Sequence, residues 1–130
     1  MIEQHEISIR VRYAETDAMG FLHHSHYFTY FEMGRTELFR AQGGDYRKLE
    51  EDGHFLVVAE LRCKFRAPAR YDDLLTLRTT LARLSPVKME HEYELFRDGK
   101  LLTTAHSVLA CVDREGRLQR IPDVIPALAE

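Results

Sequence analysis

Between Glu15 and His26 the chain gathers side chains suited to acid–base or ligand chemistry. Two carboxylates, Glu15 and Asp17, precede three histidines, His23, His24 and His26, within GFLHHSHYF. A metal could draw on His24 and His26 at i, i+2 along a strand, or on His23 and His26 at i, i+3 along a helix, with Asp17 adding a carboxylate. Helix-borne zinc pairs use i, i+4 with a further ligand elsewhere, and His54, His91 and His106 stand at no recognisable spacing from the cluster. No metal is therefore expected.

Carbonyl chemistry is the other use of such a set. Asp17 follows a strand pattern, and a helical pattern starts at Ser25 to Tyr27. The first amides of a helix lack intrahelical partners and carry partial positive charge, so those of Ser25, His26 and Tyr27 would hold a carbonyl oxygen that gains negative charge. A carboxylate across from them could attack the carbonyl or deprotonate a water that does. An ordinary aspartate, with a pKa of about 4, is a weak base. It suits an activated acyl group with a good leaving group, and a thioester is both. His24 would orient the carboxylate or the water, or donate to the carbonyl. Read singly, Asp17 is a turn or cap residue, and His23 and His26 are solvated histidines.

These residues need a scaffold. Ile7, Ile9, Val11 and Tyr13 alternate with polar residues, which predicts a half-buried strand over Glu6 to Tyr13, with Tyr13 a core residue at its end. The period then changes: Tyr27, Tyr30, Phe31, Gly34 and Leu38 share one helical face, and Gly43-Gly44 stops the helix. Gly34 gives up about 1 kcal/mol of helix propensity, which close approach to a sheet would justify. After the short polar segment DYRKLEED come strands over Phe55 to Phe65, Leu74 to Leu84, from Met89 to a hairpin turn at Asp98-Gly99, over Leu101 to Val112, and a short one in RLQRIP. Val57, Ala59, Leu61, Cys63 and Phe65 are read as one face. One helix and about five antiparallel strands give an α+β fold in which the sheet curls around the helix.

With 130 residues, the chain is expected to be one domain over 1–130. A net charge of −3 argues against a nucleic-acid-binding surface, and no run reaches the length of a membrane span. Cys63 and Cys111 lie in apolar runs and read as buried free thiols, which with the absence of a signal core points to the cytoplasm.

The stretch RYAETDAMGFLHHSHYFTYFEMGRTE, followed by FRAPARYDD, resembles the hot-dog-fold acyl-CoA thioesterases. More narrowly it is similar to the 4-hydroxybenzoyl-CoA thioesterase family and its Tol-Pal-associated acyl-CoA thioesterase branch. The likeness runs from the first strand to about Val112. It implies hydrolysis of an acyl-CoA, or of an acyl carrier protein thioester, with no cofactor beyond the coenzyme A of the substrate. It also implies a homodimer with sites at its interface, pairing again into a homotetramer. The family's catalytic carboxylate falls on Asp17, its accompanying tyrosine and histidine on Tyr13 and His24, and Glu32 reads as structural, paired with Arg35. Whether Asp17 is nucleophile or general base stays open. For the coenzyme's phosphates the candidates are Arg66, Arg70 and above all Lys88, with Lys64 and Arg83 also available. A hydratase or dehydratase, which arranges His and carboxylate differently, and a non-catalytic acyl-CoA-binding module, which would lack the carboxylate, are the alternatives.

Overall fold

The structure, a computed structural model, describes residues 2–123, so Met1 and 124–130 of the expected domain lie outside the described residues. In chain order the elements are β1 (Gln4–Arg10), a 3-10 turn (Tyr13–Glu15), α1 (His24–Ala41), α2 (Tyr46–Glu51), β2 (Phe55–Phe65), β3 (Leu74–Leu84), β4 (Met89–Arg97), β5 (Lys100–Val112) and β6 (Leu118–Gln119). The sheet is antiparallel throughout, in the order β1–β3–β4–β5–β2, with the two-residue β6 beside the end of β5. The long strands number five, as read from the sequence, and β6 makes a sixth.

The predicted helical face is the buried one. Tyr27, Tyr30, Phe31, Gly34 and Leu38 all face the sheet. Around them Ile9, Val11, Leu75, Leu77, Tyr93, Leu95 and Leu102 close the main core, and Phe31 stacks on Tyr93 at 4.6 Å between ring centres. A methyl group at Gly34 would overlap Thr79 Oγ1 and come within 2.7 Å of Leu77 Cδ2. Only glycine lets α1 lie this close to β3.

Three expectations need correction. First, β1 ends at Arg10, and Tyr13 sits on the 3-10 turn with 78% of its surface exposed, so it is no core residue. Second, DYRKLEED contains α2, capped by Asp45 through Lys48 N–H; its six residues are too few for a helical period to show. Third, β2 carries a bulge between Val58 and Glu60. Leu56 packs on the second core with Leu38 and Leu49, while Leu61 and Cys63 pack on the first. An odd separation can put Leu56 and Leu61 on one face only because the extra residue resets the alternation, which moves Val57 off the face of Leu61.

The register defines two ends of the molecule. Arg10 pairs with Leu74, so the end of β1 and the start of β3 meet. Tyr27 packs edge-on against Phe65 at 4.8 Å, which brings the end of β2 to the N-terminal end of α1. The β3–β4 turn lies at the other end of β3, whose 11 residues span roughly 33 Å.

Candidate active site

The loop holding Asp17 is itself a small hairpin. Thr16 bridges Leu22, the Asp17 N–H donates to Phe21 O at 2.8 Å, and the Gly20 N–H donates to Asp17 O at 3.0 Å. Gly20 adopts φ 80°, where a side chain would be strained. The Asp17 carboxylate is pinned by the turn it stabilises: Oδ1 accepts from Met19 N–H at 2.8 Å and from Phe21 N–H at 3.1 Å. Oδ2 has no partner among the described residues. One oxygen orients the group and the other is available for chemistry.

The second matched motif closes over this hairpin. Leu22 N–H donates to Ala69 O at 2.8 Å, Phe21 bridges Arg70, and the Arg70 guanidinium lies 4.7 Å over the Phe21 ring. Thus APARYDD and the Asp17 turn, some fifty positions apart in the chain, form one ribbon.

Accounting for the helix amides revises the oxyanion assignment. His23 is the N-cap, and its own N–H donates to Glu15 O at 2.9 Å. Ser25 N–H donates to His23 Nδ1 at 3.2 Å, and Ser25 Oγ lies 2.9 Å from the same nitrogen. His26 N–H donates to His23 O at 3.0 Å. The amides of Ser25 and His26, two of the three expected as oxyanion donors, are therefore engaged. The amide of His24, the first of the helix, has no partner among the described residues.

The three histidines separate by role. His23 caps the helix through Nδ1, which must carry a lone pair to do so, and its ring stacks on His24 at 4.1 Å. It is more than the solvated neighbour read from the sequence. His24 is exposed at the mouth, and among the described residues no group of three His, Cys, Asp or Glu converges as metal ligands.

Beneath the turn lies a carboxylate to which sequence reasoning gave no role. Glu15, only 4% exposed, accepts on Oε1 from Arg12 N–H at 2.8 Å and from the Tyr30 hydroxyl at 2.7 Å, and on Oε2 from the Arg12 guanidinium at 3.2 Å. Burial alone would raise its pKa, but the hydrogen bonds from Arg12 and Tyr30 and the guanidinium charge hold it below the usual carboxylate range. Burial, and then the Glu15 carboxylate, raise the pKa of Tyr30, so its hydroxyl stays a donor. The sole hint in the sequence was the three-residue spacing of Arg12 and Glu15; the contact with Tyr30 had none.

Other candidates scatter. Tyr13 meets Tyr71 edge-on at 5.5 Å at the exposed rim of the ribbon. Arg66 follows β2 at the same end as Asp17 and, with Arg62, Lys64, Glu92, Glu94 and His106, lines an open groove of about 550 Å³. Lys88 sits in the β3–β4 turn, at the far end of the sheet from Asp17, so this chain does not bring the two together. Glu32 and Arg35 make no ion pair within 4 Å among the described residues; instead they border a cleft of about 200 Å³ with Tyr46 and Glu50. Cys63 and Cys111 are free thiols, and burial pushes Cys63 up to about 11.

Comparison with known proteins places the chain in a family. The model of the thioesterase-like superfamily matches residues 11–130. The acyl-CoA thioesterase YbgC of Haemophilus influenzae is 34% identical over 106 residues, covering 81% of this chain and 78% of its own. A hypothetical protein of Thermus thermophilus superposes with a TM-score of 0.89 at 40% identity, over 95% of this chain and 96% of that one. The DHNA-CoA thioesterase of Staphylococcus aureus superposes at 0.85 with 29% identity, over 91% and 79%. The chain belongs to the thioesterase-like superfamily, with the hot-dog fold. It is an enzyme of the thioester hydrolase class.

Proposed function

We propose that the protein hydrolyses acyl-CoA thioesters to the free acid and coenzyme A, within the Tol-Pal-associated branch of the 4-hydroxybenzoyl-CoA thioesterase family. The observation that carries the reading is the placement, around one hairpin, of a carboxylate with an unused oxygen and a helix start whose first amide is unused. The thioester carbonyl accepts from the His24 N–H, which stabilises the negative oxygen of the tetrahedral intermediate. In one route Asp17 Oδ2 takes a proton from water, the hydroxide adds to the carbonyl carbon, and the C–S bond breaks as the proton passes to the thiolate. In the other, Oδ2 itself adds, the thiolate leaves, and water cleaves the resulting anhydride. The His24 side chain orients the attacking water or the carboxylate, and Tyr13 stands at the rim beside Tyr71.

Arg66 and Arg70, at the same end as Asp17, bind the phosphates of the coenzyme; Lys88 contributes only from a second copy. Such a copy has a place to bind. β2 pairs on one side with β5, and along its length Val57, Val58 and Phe65 are 39%, 47% and 52% exposed. A long apolar edge strand is a template for another strand, and β2 against β2 about a two-fold axis makes the homodimer, which pairs again into a homotetramer. No cofactor beyond the substrate's own coenzyme is required, and the compartment is the cytoplasm. Among the described residues no helix is long and apolar enough to cross a membrane.

Thiol release across short, long and aromatic acyl-CoAs, with an acylated carrier protein alongside, tests the reading. Asp17→Asn is expected to lower turnover at least about a hundredfold. Unchanged turnover in that variant removes Asp17 from the chemistry, and no release across the panel returns the protein to the hydratase or binding alternatives.

A further inference from the structure

We propose that Glu15 is a positioning residue: through its buried bond to Tyr30 it sets the Asp17 turn in register with the mouth of α1. The inference rests on the thioesterase reading for its consequence in turnover, and on geometry for its mechanics.

A carboxylate with 4% exposure is costly to bury, and an apolar side chain of similar size would fill the space without that cost. Here every acceptor of Glu15 is used, and each use ties a different piece of the site. Oε1 reaches the Tyr30 hydroxyl at 2.7 Å, and Tyr30, 1% exposed, is held in the main core beside Phe31. Tyr30 is therefore a fixed post on α1, seven positions below the cap. The carbonyl of Glu15 takes the His23 N–H at 2.9 Å, which hangs the N-cap on the same residue. Arg12 supplies two donors from the other side, so the 3-10 turn cannot swing.

Asp17 follows two residues after Glu15, and His24 follows one after His23. Both halves of the candidate site thus hang from one side chain and one carbonyl of Glu15. Both Glu15 and Tyr30 are buried, so neither is assigned a contact with substrate. Misplacing a reacting group by an ångström costs as much as about a hundredfold in rate, so the clamp should be read in kcat rather than KM.

The test uses the full chain carrying Tyr30→Phe, Glu15→Leu, both together, or Glu15→Gln. Each single apolar change is expected to lower kcat about tenfold or more, with KM within about twofold. Glu15→Gln keeps an acceptor for the Tyr30 hydroxyl and should retain most of kcat. The double variant has no buried carboxylate missing its donor, so it should regain thermal stability relative to Tyr30→Phe while kcat stays low. A purely structural role predicts that kcat recovers with stability, and that result overturns the proposal. So does wild-type kcat in both single variants when Asp17→Asn is inactive. If the wild-type chain releases no thiol at all, the functional reading fails on its own, and amide exchange decides the clamp: faster exchange at His23 and Phe21 in Tyr30→Phe supports it, and unchanged exchange refutes it.

Discussion

At the N-terminal end of α1 the chain buries Glu15 and Tyr30, partners both, and leaves the His24 amide and a carboxylate oxygen of Asp17 free. At the C-terminal end Gln42, Gly43 and Gly44 donate their N–H groups back to Leu38, Phe39 and Arg40, and the buried Gln42 side chain donates to Ile2 O at 2.7 Å. There Leu38, Phe39, Leu49, Met89, Cys111 and Ile121 close a second core. The far end turns its terminal N–H groups back on the helix, whereas the near end leaves a helix amide and a carboxylate oxygen free. Those free groups lie at the accessible helix mouth, unlike the buried and unpartnered His54 Nδ1 and His91 Nδ1.

If the two ends divide stability from chemistry, variants should separate them. Leu38→Ala, at a position with no exposure, is expected to cost about 3 kcal/mol in denaturant unfolding while leaving kcat unchanged well below the transition. Asp17→Asn should do the reverse. Asparagine keeps the Oδ1 acceptor of the turn, so the melting midpoint holds while the barrier to thiol release rises by about 2.7 kcal/mol or more. Gly34→Ala lies between the ends; pushing α1 off Thr79 and Leu77 should cost about 1–3 kcal/mol, read in denaturant midpoint, and lower kcat too if the helix mouth shifts.

The smallest contrast is in pH. Burial, with the charges of Arg35 and His106 behind it, pushes His91 down to about 3. The unfolded chain then takes up a proton that the folded chain refuses, so stability should fall as pH drops below 6.5 toward that value. Glu15, lowered from 4.5, begins to lose its contribution only below about that pH. Melting curves between pH 6.5 and 4.5 should therefore slope less in His91→Leu, and equally in Glu15→Gln and wild type. An equal slope in His91→Leu would mean that His91 is not the group responsible.

Much of the frame was legible. The bounds read for β2 and β3 hold to the residue, and Asp98-Gly99 marked the hairpin between β4 and β5. The face of Tyr27, Tyr30, Phe31, Gly34 and Leu38 is buried as its 3.6-residue period requires. Local patterns failed where one residue changed the outcome: the bulge beside Ala59 inverted half of β2, and α2 was too short to have a period. In the site, residue types and spacing singled out Asp17 and the helix mouth, but two of the amides they named, those of Ser25 and His26, are taken, because caps compete for donors and the competitor was His23.

By itself the sequence determined the long helix and the four long strands after it, and that a carboxylate and three histidines lie beside a helix start. Those are properties of neighbours in the chain, set by periodicity and turn chemistry. Tertiary structure alone decided that Glu15 is buried on Tyr30, that APARYDD lines the Asp17 turn, that Lys88 lies a strand's length away, and that His24 holds the spare amide. Each of these depends on whether a polar group finds a partner, and the partners are supplied by segments that only folding brings together.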